Sequence, residues 1–123
     1  MSCVTEVLKK HQIEIETIEI GAKAMHGCIG CNTCFKKKNR RCVFDDDILN
    51  SVIDKVLEAD GLLVGSPVYY AGINGALKSF LDRTFYVAMA SGGLIRHKVG
   101  AGVVAVRRGG EVAAWEQINK YFT

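Results

Sequence analysis

Apolar residues change their period several times along the chain, and each change marks an element. Val4, Val7 and Leu8 recur at helical spacing between Ser2 and His11, which predicts a short first helix. From Ile13 to Ile20 isoleucine alternates with glutamate as in a strand, with a phase shift at Thr17 that turns Ile13 and Ile15 away from Ile18 and Ile20. A bulge, or a strand covered on both faces, would accommodate that shift. After a cysteine-rich loop, Asp45, Asp46 and Asp47 precede the stripe Ile48, Leu49, Val52, Ile53, Val56 and Leu57. Carboxylates at that end cap free amides and oppose the helix dipole, so a helix is expected here.

Gly61 to Gly65 reads as a short buried strand ending at Pro67, which has no N–H to give to a ladder. Asn74 is placed to cap a helix whose inward face is Leu77, Phe80, Leu81 and Phe85. Val99 to Val106 is continuously apolar, the pattern of a parallel strand buried on both faces, and a final helix is expected from about Glu111 to Phe122. The alternation of helices and strands predicts one doubly wound α/β domain over residues 1–123. Such sheets bind ligands in loops beyond the carboxyl ends of their strands, here the loops starting at Ser66 and Arg107.

Composition narrows this picture. A chain of 123 residues with one proline and about half its residues apolar can bury a core and is not disordered. Its apolar stretches fall far short of the roughly 20 residues of a membrane helix. Met1 to Lys10 lacks the pattern of a secretory signal, so a soluble, cytoplasmic protein with reduced thiols is expected. The net charge of +3 names no partner. The basic run from Lys36 to Arg41 could meet an acidic partner or nucleic acid, but it has no interleaved aromatics and reads as a solvated loop. No nucleic-acid partner is expected.

The chemistry lies in two clusters. Cys28, Cys31 and Cys34 are each separated by two residues and Cys42 follows after seven more, with Gly27 and Gly30 lending the backbone freedom to wrap a centre. Thiolates at this spacing can converge on a 4Fe-4S cluster. Zinc matches less well because its structural sites come as separated pairs, and a metal-free loop of redox-active thiols is the third reading. Cys3 is expected to be a small core residue of the first helix. The second cluster is Ser66, Pro67, Val68, Tyr69, Tyr70 through Asn74, leaving a strand for a helix N-terminus. Such a turn can give a flavin ring an aromatic platform and backbone amides, although packing tyrosines look the same. Arg107, Gly109 and Gly110 should lie alongside, with glycines permitting close approach and arginine able to meet a phosphate. His11, His26 and His97 read as surface or helix-end residues, no catalytic acid or base stands out, and no triad supports a hydrolase.

The segments GCIGCNTC (Gly27 to Cys34), ADGLLVGSPVYY (Ala59 to Tyr70) and LKSFLDR (Leu77 to Arg83), with Cys42, Asp45 to Asp47 and Arg107 to Gly110, resemble the NADPH-dependent FMN reductases, especially their iron-sulfur flavoprotein branch. The resemblance implies a flavodoxin-like three-layer α/β/α fold and an FMN-dependent oxidoreductase that takes hydride from NADPH or NADH. It implies an electron acceptor that is a small molecule or a protein. By the same resemblance Ser66, Pro67, Val68, Tyr69 and Tyr70 contact the isoalloxazine, and Asn74 stands where relatives usually have serine. A first strand with its Ser- and Arg-containing phosphate loop, and a last strand, are not found, so a fragment, a misassigned start or a partner chain filling the gap is expected. Because the missing strand would be central, a homodimer or larger assembly is also expected, and weak FMN binding. The alternative is a non-catalytic metal-binding or redox-sensing module in which the cysteine loop works without flavin.

Overall fold

The computed structural model describes residues 1–123. Two strands, β1 (Gly61–Pro67) and β2 (Val99–Ala105), pair in parallel with Gly61 opposite Val99 and Pro67 opposite Ala105. Between them runs α4 (Gly75–Ala90), so the centre of the molecule is a β-α-β unit. The remaining helices are α1 (Ser2–Lys10), α2 (Thr33–Lys37), α3 (Leu49–Glu58) and α5 (Glu111–Asn119). The expected mixed α/β architecture with a parallel sheet is present, on a sheet of two strands. β1 extends to Pro67, at the strand end where a residue without an N–H is tolerated.

The core is one cluster in which α3 contributes Leu49, Val52, Ile53 and Val56, and α4 contributes Leu77, Phe80, Leu81 and Val87. Both helices form where the apolar stripes place them. Asn74 caps α4 as expected, its Oδ1 accepting from Leu77 N at 3.1 Å. At α3 only Asp47 of the three aspartates meets the helix, accepting from Leu49 N at 3.1 Å. α5 lies on β2 so closely that a Cβ on Gly102 would stand 2.8 Å from Ile118 Cγ2. The glycines of β2 let that helix down onto the strand.

Four expectations are corrected. Ile13 to Ile20 forms no strand, and residues 14–19 make no backbone–backbone hydrogen bond. Backbone pairing requires a neighbour, and β1 pairs with β2 while Met1 covers Gly65, where a Cβ would fall 2.4 Å from Met1 Sδ. The isoleucines are placed by one-sided burial, with Ile20 buried, Ile18 packed against the core and Ile13 exposed. β2 is not buried on both faces, since Val99, Gly100 and Ala101 are exposed. Cys3 is also exposed, because α1 buries none of its residues. The last helix stops at Asn119, with turns beyond it.

Candidate functional site

The cysteine loop folds back so that Cys28, Cys31, Cys34 and Cys42 all line one small cavity of about 20 Å³, closed by Arg83, Tyr86 and Val87 of α4. Four left-handed residues shape the loop, Gly30 (φ 64), Asn32 (φ 56), Lys38 (φ 49) and Arg40 (φ 59). Gly30 is therefore the glycine the turn requires, whereas a Cβ on Gly27 would meet nothing within 4 Å. The short helix α2 within this loop places Cys34 inward, while Cys28 and Cys31 stay exposed. Tyr86 steadies the outer turn through a hydrogen bond from its hydroxyl to Asn32 Oδ1 at 2.7 Å, and it meets the Phe35 ring edge-on at 5.0 Å. Burial pushes the Cys34 thiol pKa up, and a hydrogen bond from the Thr33 hydroxyl, with its backbone amide, lowers that of Cys31.

Two side chains that sequence reasoning passed over hold Cys42. Asn50, in the first turn of α3, accepts from Cys42 N at 2.8 Å and donates to Cys42 O at 3.1 Å and Phe44 O at 2.9 Å. Arg83 is only 1% exposed. Its Nε donates to Cys42 Sγ at 3.3 Å, its Nη1 to His26 O at 3.2 Å, and its Nη2 lies 3.4 Å from Phe44 O. Asp47 supplies its counter-charge in a buried ion pair. Burial alone would lower the pKa of Arg83, but the hydrogen bonds to Asp47 and Cys42 raise it. Burial likewise pushes the Asp47 carboxyl up, and bonds from Arg83, Leu49 N and His26 N carry it below the usual carboxylate range. The signal for Arg83 was its position on α4, three residues after Phe80 and four before Val87, where a charge on an apolar stripe demands a buried partner.

His26 is also more than a surface residue. Its ring stacks on Phe44 with centroids 4.4 Å apart, and its Nε2 lies 2.9 Å from Asp46 Oδ2. The basic run is partly structural, because Arg41 grips Asp54 of α3 with bonds of 2.8 and 2.6 Å. Lys36, Lys37, Lys38 and Arg40 are exposed.

All four cysteines therefore border one cavity, while no three histidine, cysteine, aspartate or glutamate side chains are grouped to hold a metal ion. Tetrahedral zinc draws its sulfurs to about 2.3 Å from one centre, whereas the ligands of an iron-sulfur cluster bind different irons around a larger body. An all-thiol donor set arranged around a common space suits the cluster better than the ion.

At the other candidate site, Tyr69 to Gly72 forms a two-residue turn closed by Tyr69 N to Gly72 O at 2.9 Å and Gly72 N to Tyr69 O at 3.0 Å. Its central residues, Tyr70 (φ 48) and Ala71 (φ 58), are both left-handed. Non-glycine residues held this way cluster at binding sites. Tyr69 and Tyr70 are exposed, Tyr70 completely. Ser66 is buried, and its hydroxyl donates to Pro67 O at 2.8 Å and accepts from Asn74 N at 2.9 Å. Gln117 of α5 accepts from Ile73 N at 3.1 Å. The loop after β2 adjoins this turn, since a Cβ on Gly110 (φ 91) would stand 2.6 Å from Ala71 Cα. Arg107 and Gly109 are exposed beside it.

A family model for NADPH-dependent FMN reductases matches residues 1–122. The chain belongs to that family. Among its relatives, an iron-sulfur flavoprotein of Methanocaldococcus jannaschii is 38% identical over 89% of the chain and 55% of its own length. An iron-sulfur flavoprotein of Archaeoglobus fulgidus is 34% identical over 96% of the chain and 58% of its own length. An FMN reductase (NADPH) of Escherichia coli is 36% identical over 44% of the chain and 32% of its own length. The chain thus spans little more than half the length of the first two relatives. No solved structure matches it significantly.

Proposed function

We propose that the protein is an FMN-dependent NAD(P)H oxidoreductase that passes electrons to a small molecule or a protein, with a 4Fe-4S cluster held by Cys28, Cys31, Cys34 and Cys42. The observation that carries this reading is the gathering of all four cysteines around one cavity in a chain of the FMN reductase family. FMN, when bound, supplies the exchange between hydride and single electrons. The flavin part is supported by the contact between the turn after β1 and the loop after β2, which together make one ledge beyond the carboxyl ends of both strands.

The residues on that ledge divide by what their polar atoms already do. Ser66 and Asn74 spend theirs on each other, on Pro67 and on Leu77, so in this reading they hold the turn in shape. Val68, Tyr69 and Tyr70 offer apolar and aromatic surface to the flavin, with Pro67 closing the strand behind them. Gly109 and Gly110 let the second loop approach, and Arg107 offers a cation to a phosphate of FMN or NADPH. The exposed start of β2 and the exposed Trp115 support assembly into a homodimer or larger, to be read by light scattering.

Anaerobic reconstitution of the purified protein with ferrous iron, sulfide and FMN tests the reading. A brown-yellow protein with about four irons, whose flavin is bleached by NADPH or NADH, is expected. A colourless protein containing stoichiometric zinc would instead establish the module without flavin chemistry.

A further inference from the structure

We propose that Arg83 is a positioning residue for Cys42, donating to its sulfur a charge-assisted hydrogen bond that raises the reduction potential of the cluster bound there. The inference rests on the cluster reading above and adds to it a specific role for a residue outside the cysteine motif. A neutral thiol is a weak acceptor, and a guanidinium is costly to bury. Yet Arg83 is almost completely enclosed and turns its Nε–H onto Cys42 Sγ at 3.3 Å, with its other donors directed to Asp47, His26 O and Phe44 O. The rest of the guanidinium is thereby fixed on three separate points, which leaves Nε no freedom to turn away from the sulfur.

The four thiols are not equivalent in this respect. Cys28 and Cys31 are exposed, and neither receives a side-chain donor from a buried cation. Cys42 has its backbone clamped by Asn50 and its sulfur faced by Arg83, so both the position and the electrostatics of this one ligand are set by the body of the protein. Hydrogen bonds to ligand sulfurs, and the net charge around them, help set cluster potentials. A donor aimed at Cys42 Sγ stabilises the form carrying more negative charge, which is the reduced one. Asp47 partly offsets the positive charge of Arg83 but leaves the N–H contact intact. An arginine that served only to pin the loop could do so through Asp47 and the two carbonyls and would leave the potential unaffected.

Two measurements on the anaerobically reconstituted chain test this. In protein grown with 15N-arginine and reduced by one electron per cluster with dithionite, pulsed electron paramagnetic resonance should detect hyperfine coupling to one arginine nitrogen. In Arg83→Lys, which keeps the charge but lacks the planar donor, the one-electron equilibrium should move about tenfold toward the oxidised cluster, a potential lower by ~59 mV. If Arg83→Lys does not fold by circular dichroism, the 15N coupling in the unaltered chain decides alone. Absence of that coupling, or an unchanged potential in a folded variant, would overturn the inference while leaving the cluster in place. An unaltered chain that takes up no iron would overturn the cluster reading and this inference together.

Discussion

Asn50 holds Cys42 by both ends of its backbone, accepting from its N–H at 2.8 Å and donating to its carbonyl at 3.1 Å. The same amide nitrogen also reaches Phe44 O at 2.9 Å. Asn50→Ala removes all three bonds and leaves part-buried backbone groups without partners, at a cost of about 1–3 kcal/mol. Urea unfolding should show this loss. Asn50→Asp keeps the acceptor for Cys42 N but has no donor for the two carbonyls, so it should not restore stability.

Asp47 and Arg83 form the one ion pair in which both side chains are almost completely buried, at 3% and 1% exposure. Breaking such a pair strands a buried charge, and Asp47→Asn is expected to cost about 3–5 kcal/mol. The pH dependence has a definite sign. The folded-state pKa of Asp47 is depressed, so its contribution is complete above the unfolded value of about 3.9 and is lost as pH falls through the lower folded value. Chemical denaturation below pH 5 should therefore show a stability slope in the native chain that is reduced in Asp47→Asn.

Ala71 occupies the left-handed region at φ 58. Glycine adopts that conformation without the Cβ clash, so Ala71→Gly should stabilise the chain by about 1 kcal/mol. Ala71→Val, with a branched side chain, should destabilise it by more than that gain. Thermal unfolding of the two variants checks both signs. Opposite results would mean that the turn changes shape when the residue changes.

At Gly102 an added Cβ would stand 2.8 Å from Ile118 Cγ2, and Ile118 is fully buried. Gly102→Ala should cost about 1–3 kcal/mol through overpacking between β2 and α5. Gly75→Ala is the control, because Gly75 opens α4 and a Cβ there meets nothing within 4 Å. It should be neutral or stabilising in the same unfolding experiment.

What the sequence made legible was what short-range chemistry decides. Asn74 lies at the spacing of a cap, and the stripes Leu49 to Val56 and Leu77 to Leu81 fix which faces turn inward. The spacing of the cysteines indicated a common centre, and the four do line one cavity. The grip on Cys42 was not legible, because it joins residues 41 positions apart in Arg83 and Cys42, and no local pattern encodes which carbonyls a buried arginine will find. Ser66 was named a flavin contact by the family resemblance, not by any local pattern. Its hydroxyl is already engaged by Pro67 and Asn74, which only the folded turn reveals. The Ile/Glu alternation predicted a strand from side-chain period, but a strand also needs a backbone partner, and period carries no information about one.

That unpaired stretch divides the molecule's stability unequally. Residues 14–19 contribute no backbone hydrogen bond to the fold, and Glu16 is tied to Lys55 only by an exposed ion pair. Exposed pairs of this kind add little, and salt weakens them. What secures the stretch is the lodging of Ile18 and Ile20 in the core. Releasing two side chains is a far smaller event than unpairing β1 from β2, so the amides before Ile20 should exchange with solvent deuterium while the sheet and Asn50's hold on Cys42 remain closed. The segment is a strap fastened at one end, and it can open without the cysteine cavity losing its shape.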